Sequence, residues 1–176
     1  GFANMNATIK IHSQDRAFTD PAQASRPFSA DRRGFVLSEG AGVVVLAAEE
    51  VIKAHGLTAQ AEVLGVGWTS DAHHYTLPNP ATIIRAICET IDDAGLKPED
   101  IQYINAHGTS TPKGDLTEIK CLRDVFGKRV QNIPVSSNKS QLGHTLGATA
   151  AIEAALTIEG MRKGVILPTI NHPFNG

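Results

Sequence analysis

Polar and irregular positions dominate residues 1–34, where Pro21 and Pro27 interrupt any long helix. The pattern then changes. GFVLSEGAGVVVLAA predicts a glycine-rich turn followed by a β-branched run, Val43–Val45, read as a buried strand. Ala48 to His55 reads as a helix that Gly56 ends. AEVLGVGW, residues 61–68, is a second strand candidate. Asn79-Pro80 predicts a helix entry, with Asn as cap and Pro in the first turn. Ile83, Ile84, Ile87, Ile91 and Ala94 follow at helical spacing, and Gly95 closes that helix. IQYINA (101–106) reads as a strand. Asp115 with Glu118 reads as a capping-box-like helix start, after which Ile119, Leu122 and Phe126 line one face before Gly127. IPVSS (133–137) is another short strand. From about Leu146 to Met161 the chain is small and apolar nearly all round, which predicts a fully buried helix. Such alternation predicts α/β layers, with helices covering a mainly parallel sheet.

Composition narrows the picture further. The 176 residues suffice for one domain with a core. Net charge is −2, and basic residues fall in scattered pairs such as Arg32–Arg33 and Lys128–Arg129. That pattern is no footprint for nucleic acid or an anionic membrane. The longest strongly apolar stretch, Val43 to Ala48, is too short to span a bilayer, and no signal-peptide pattern opens the chain. Cys88 and Cys121 form no metal or redox spacing, which fits a reducing, cytosol-like compartment. The first residue is Gly1, and the last segment, ILPTINHPFNG, stops abruptly, so we expect a processed chain or a piece of a longer one cut at both ends.

Two loops carry the candidate chemistry. The first is NAHGTSTPKGD, residues 105–115, between a strand and a helix. The second is SSNKSQLGH, residues 136–144, also between a strand and a helix. In α/β folds functional groups gather beyond the carboxyl ends of strands. Each loop supplies an imidazole, hydroxyls and glycines that admit a ligand close to backbone. Converging imidazoles, His107 and His144, could donate hydrogen bonds to one oxygen that gathers negative charge. Lys139 precedes His144 by five residues. Glu153, on the buried small-residue helix, is expensive there without a partner; Lys139 is one candidate, a purely structural ion pair the other reading. The plain alternative for each loop is structural: a single strand-end histidine is often only a hydrogen-bonder, and Gly and Thr often only make a turn. Ser136-x-x-Lys139 matches the motif of serine acyl-enzymes, but it sits at a strand end and neither Ser-Asp-Asn nor Lys-Thr-Gly follows. No Gly-x-Ser-x-Gly, Walker-type or Gly-x-Gly-x-x-Gly motif is present. The adjacent His73 and His74 make a poor metal pair, because neighbouring side chains seldom converge on one ion.

NAHGTSTPKGD resembles the first histidine motif of the β-ketoacyl-[acyl-carrier-protein] synthases, and SSNKSQLGHTLGA resembles their lysine–histidine motif. DRRGFVLSEGAGVVVL and GWTSDAHHYTLP are also similar to family segments, so the resemblance covers essentially the whole chain. The Asn-Ala-His-Gly-Thr-Ser-Thr form is most like the discrete synthase II type. The resemblance implies a thiolase-like layered α/β/α/β/α fold, present here only in part. Residues 1–79 would be the tail of the amino-terminal half and its crossover, and residues 80–176 most of the carboxy-terminal half. It implies decarboxylative condensation of malonyl-carrier protein with an acyl thioester, in fatty acid or polyketide elongation. His107 and His144 match the histidines at the malonyl thioester oxygen, Lys139 the lysine that tunes the second histidine, and Glu153 the glutamate organising that network. Thr109 and Thr111 match hydroxyls that hold the phosphopantetheine arm, and His73–His74 fall near the expected arm entrance or on the surface. Acyl carrier protein is the implied partner, a homodimer the implied assembly, the cytosol or an organelle matrix the implied setting, and no cofactor or metal is implied. The family's nucleophilic cysteine matches nothing here: Cys88 and Cys121 fall inside predicted helices and read as packing residues. Phe174 does not match the family's gating phenylalanine. The alternative is a non-catalytic partner subunit of the chain-length-factor kind.

Overall fold

A computed structural model describes residues 5, 7–9, 20–74 and 76–172. Phe174 therefore lies outside the described residues, as does most of the stretch before Asp20. Seven elements follow in order: α1 (Glu49–His55), α2 (Pro80–Asp93), β1 (Ile104–Asn105), α3 (Pro112–Phe126), β2 (Val135–Ser136), α4 (Lys139–Leu142) and α5 (Thr149–Lys163), with short 3-10 turns between some of them.

Helix boundaries follow local chemistry. The Asn79 carboxamide accepts the Ala81 N–H at 3.1 Å and Pro80 opens α2, so the cap forms where the sequence places it. Gly56, at φ 59°, closes α1 in the left-handed conformation. The start of α3 differs from the sequence reading. The helix begins at Pro112 with Thr111 as its cap residue, and no side chain caps it. Asp115 is then already inside the first turns, and Asp115 with Glu118 is not a capping box. Proline supplies a first-turn residue that needs no hydrogen bond from its nitrogen, so the helix starts earlier and frees both carboxylates for other partners.

The core lies where α2 and α3 cover the strands. Ile91 from α2, Leu122 and Phe126 from α3, and Ile133 before β2 are buried together, with Ile87, Ile104 and Val135 packed against them. β1 and β2 pair in parallel, Ile104 opposite Val135 and Asn105 opposite Ser136. Ala106 N–H donates to Ser136 O at 2.8 Å, carrying the pairing one step past β1. The predicted strands 101–106 and 133–137 are thus present as a short parallel ladder, and the two candidate loops leave its same, carboxyl end.

Three expectations fail in these residues. Val43–Val45 is not a buried strand: Val43 and Val45 are 88% and 86% exposed, and the run enters no ladder. Residues 61–68 likewise form no ladder, and Val63, Val66 and Trp68 are exposed. A β-branched run favours the extended backbone, but burial needs a covering surface, and none of the described residues provides one. The small-residue helix is preceded by a 3-10 turn at Leu146–Ala148, begins at Thr149, and buries only Thr149 and Gly160. It is half-covered for the same reason.

Candidate functional site

His107 stands one residue beyond Ala106, in the loop from β1 to α3. A carboxylate on α3 fixes this loop. Glu118 Oε1 accepts the His107 N–H at 2.6 Å, and Oε2 accepts the Gly108 N–H at 2.8 Å. Gly108, at φ 34°, is required by space as well: a Cβ there would stand 2.6 Å from the Ser137 Cβ. Ser137 Oγ donates to Gly108 O at 2.7 Å and ties the first loop to the second.

His144 is held by backbone on both sides. Its N–H donates to Val36 O at 2.7 Å, and its carbonyl accepts the Ser38 N–H at 3.1 Å. Its ring Nδ1 accepts the Leu146 N–H at 3.2 Å and lies 3.0 Å from Thr149 Oγ1. An acceptor at Nδ1 leaves the proton of a neutral ring on Nε2, free to be donated. The Phe35 ring packs edge-on against the imidazole, with centroids 5.2 Å apart.

The structure brings the two histidines together. Their ring centroids are 5.6 Å apart and the planes stand at 85°. Lys139 and Glu153 also meet: Nζ lies 2.7 Å from Oε1, with the lysine side chain 2% exposed and the glutamate 14%. Desolvation and the ammonium together act on both rings. Desolvation first, then Lys139, then His144, pulls the His107 pKa down to about 4. His107 keeps a solvent-exposed side although protein surrounds the rest of its ring, and the lowered pKa leaves the ring neutral at neutral pH. Desolvation and then Lys139 lower His144 in the same sense. Two neutral imidazoles beside a buried cation are suited to donate hydrogen bonds to an oxygen that becomes negative.

Thr109 and Thr111 face each other, with hydroxyl oxygens 3.0 Å apart; Thr109 is buried and Thr111 half-buried. His73 and His74 are exposed, in a turn capped by Asp71, which accepts the His73 and Asn79 N–H groups. Cys121 is fully buried in α3, and burial, followed by Asp124 and Glu118, pushes its thiol up, away from the thiolate a nucleophile needs. Cys88 is half-buried within α2. Among the described residues no cluster of His, Cys, Asp or Glu could hold a metal, and no helix is long and apolar enough to cross a membrane.

Sequence reasoning missed Asp115 and Glu118 as parts of this site. Asp115 is fully buried; its Oδ2 accepts the Phe28 N–H at 2.8 Å and lies 3.4 Å from Arg32 Nε. Burial raises the Asp115 and Glu118 pKa values, while the N–H groups they accept oppose the rise. The available signal was two acids one turn apart on the helix after a glycine-containing loop, whose N–H groups need acceptors.

Comparison with known proteins agrees with this geometry. The family model for the C-terminal domain of β-ketoacyl synthases matches residues 60–172. The chain is 46% identical over 171 residues to 3-oxoacyl-[acyl-carrier-protein] synthase 2 of Staphylococcus aureus, covering 96% of this chain and 41% of that protein. It is 46% identical over 154 residues to the synthase 2 of Synechocystis, covering 86% of this chain and 37% of that protein. The chain thus spans about two fifths of the length of these relatives. Among solved structures, a chain of a type II polyketide synthase acyl-carrier protein–ketosynthase complex superposes with a TM-score of 0.90 at 34% identity, over 97% of this chain and 41% of that one. A β-ketoacyl synthase from Burkholderia phymatum gives 0.79 at 38% identity, over 97% and 40%. The layered α/β fold is that of the thiolase-like ketosynthases, incompletely represented. The chain belongs to the β-ketoacyl synthase family and carries its C-terminal domain.

Proposed function

We propose that this chain supplies the decarboxylation half of the active site of a 3-oxoacyl-[acyl-carrier-protein] synthase in fatty acid or polyketide elongation. The observation that carries the reading is the pair of neutral imidazoles at 5.6 Å, beside the buried Lys139–Glu153 pair. In the reaction the bond from the malonyl methylene to its carboxylate breaks and carbon dioxide leaves. The electron pair passes into the thioester as an enolate, whose oxygen takes hydrogen bonds from His107 and His144. The enolate carbon then attacks an enzyme-bound acyl thioester and expels the cysteine thiolate. Preorganised donors at that oxygen lower the barrier without reorganisation.

Desolvation, reinforced by Lys139, keeps both rings neutral, and Glu153 compensates the lysine's charge. Thr109 and Thr111 receive the phosphopantetheine arm, for which their paired hydroxyls would exchange partners. The nucleophilic cysteine belongs to sequence outside this chain; the burial of Cys121 and the helical setting of Cys88 support that. Acyl carrier protein bearing acyl and malonyl groups is the partner, consistent with the similarity to a chain from a carrier protein–ketosynthase complex. The same reading includes a homodimer, a cytosolic or organelle-matrix setting, no bound cofactor, and a division near residues 79 and 80 between the tail of one half and most of the other.

A chain-length-factor-like partner is the second reading. It draws on the similarity to a chain of the ishigamide ketosynthase/chain length factor, TM-score 0.84 at 39% identity. The presence of both histidines and Lys139 favours the catalytic reading. In the complete protein, His144→Ala is expected to abolish release of labelled carbon dioxide from malonyl-carrier protein and to leave acyl transfer to the cysteine partly intact. Loss of one oxyanion donor costs about 2.7–4 kcal/mol in barrier. Equal loss of both half-reactions would overturn the assignment, and absence of any acyl-enzyme in the unmodified protein would favour the partner reading.

A further inference from the structure

The first turns of α3 hold two carboxylates whose contacts converge on one loop. Glu118 accepts the N–H groups of His107 and Gly108 with its two oxygens, at 2.6 and 2.8 Å. Asp115, one turn earlier, accepts the Phe28 N–H at 2.8 Å. Phe28 has φ 65°, a left-handed conformation that a bulky side chain adopts only under constraint. Its ring reaches Gly108: a Cβ on that glycine would fall 3.0 Å from Phe28 Cζ. Arg32 spans the same place, lying 3.4 Å from Asp115 and donating to Thr111 O at 3.2 Å and Ser29 O at 2.8 Å. Gly34 N–H closes the assembly on Ser110 O at 2.9 Å.

The hydrogen bonds of Glu118 go to backbone N–H groups, not to a ring. What it fixes is the backbone from which the His107 ring projects. Asp115 does the same at one remove, through a strained Phe28 pressed on Gly108. A buried carboxylate is expensive; N–H donation to both oxygens of the half-buried Glu118 and to Oδ2 of the fully buried Asp115 offsets part of the cost, while Asp115 Oδ1 has no hydrogen-bond partner among the described residues. We propose that Asp115 and Glu118 are positioning residues that clamp the Gly108 loop, Glu118 directly and Asp115 through Phe28, and so set the aim of the His107 imidazole. This rests on the decarboxylation reading, because the aim of His107 matters only if the ring donates to the reacting oxygen.

The clamp makes a distinctive prediction. If Glu118 acts only through His107, its replacement costs nothing once the His107 ring is gone. The test is a double-mutant cycle in the complete protein, with Glu118→Gln, His107→Ala and the pair. The readouts are kcat and KM for malonyl-thioester decarboxylation, with acyl transfer to the cysteine measured alongside. Glu118→Gln keeps the shape but faces one N–H with an amide that cannot accept. It is expected to lower the decarboxylation kcat by roughly tenfold to a hundredfold, the range a misplaced reacting group loses, with KM and acyl transfer little changed. In the His107→Ala background the same change is expected to have no further effect. Additive losses, a KM effect without a kcat effect, or parallel loss of acyl transfer would overturn the clamp. If His107→Ala alone leaves decarboxylation intact, the functional reading fails instead. Should Glu118→Gln not fold, Phe28→Leu keeps both carboxylates and runs through the same cycle, with the same non-additivity expected and additivity again fatal.

Discussion

Lys139 and Glu153 are fourteen positions apart, and nothing in the local pattern joins them; what suggested the pair was the cost of a lone carboxylate on an apolar helix. The structure places the ammonium 2.7 Å from the carboxylate with the lysine almost fully buried. Removing Glu153 leaves a buried cation alone. Glu153→Ala in the complete protein is therefore expected to lower unfolding free energy by about 3–5 kcal/mol, toward the lower end because the glutamate keeps some contact with water. Urea denaturation checks this, and a loss below about 1 kcal/mol would mean that the pair is not needed to hold the lysine. The same cation bears on His107. Its folded pKa, near 4, lies below the ordinary 6.5, so above pH 6.5 the ring is neutral in both the folded and unfolded states. As pH falls from 6.5 toward 4 the unfolded chain takes up a proton that the folded ring refuses, and stability declines across that window. NMR titration of the ring should show a neutral His107 at pH 5, and a midpoint near 6.5 would contradict the environment described here.

At the scale of elements, what could be read was what local chemistry decides. Asn79-Pro80 capped a helix as the dipeptide predicts, and both strand-to-helix loops sit at the carboxyl end of a parallel ladder. What could not be read was decided by distant partners. Asp115 and Glu118 satisfy a local helix-start pattern, yet they serve Phe28 and the His107 loop. Short-range rules rank a cap first because they cannot see an N–H group eleven residues upstream in need of an acceptor. Gly143 is a related case. Its φ of 71° and ψ of −165° fall in a region essentially reserved for glycine, and a Cβ there would stand 2.9 Å from Ser38 Cβ and Val36 O. This glycine lets the 36–38 segment bridge directly to His144. Gly143→Ala is expected to cost about 1–3 kcal/mol from backbone strain alone, with a further cost from the clash. It should also impair decarboxylation by moving His144. Thermal unfolding and carbon dioxide release together test it; an unchanged melting temperature would show that the bridge yields cheaply.

The whole molecule has a site better organised than its surroundings. Around Lys139, Asn138, Asp115, Ser110 and Ser137 the chain is closed to solvent, whereas Val43, Val45, Leu46, Val63, Val66 and Trp68 are all well exposed. The apolar residues Val43, Val45, Ile52, Val63, Ala155 and Ile158 line one open cleft of about 1310 Å³. A strand pattern without a ladder, and a small-residue helix only half-buried, are what a layered sheet looks like when its covering surface is elsewhere. The β-branched run and the small-residue helix have the apolar chemistry the sequence shows, but no surface among the described residues buries them. Apolar surface of this kind has a thermodynamic consequence. At ~25 cal/mol/Å², a few hundred Å² left in water forgoes several kcal/mol, comparable with the roughly 5–15 kcal/mol that stabilises a domain. Residues 1–176 expressed alone are therefore expected to self-associate or precipitate, and to form no carbon–carbon bond from acyl- and malonyl-carrier protein. Replacing Val43, Val45 and Val63 with threonine keeps the β-branched shape while removing apolar area, and should shift the isolated chain toward monomer. Light scattering on both versions, with a condensation assay on the first, tests the argument. A stable, condensing monomer would place the nucleophile within these residues and show that the exposed apolar segments need no cover.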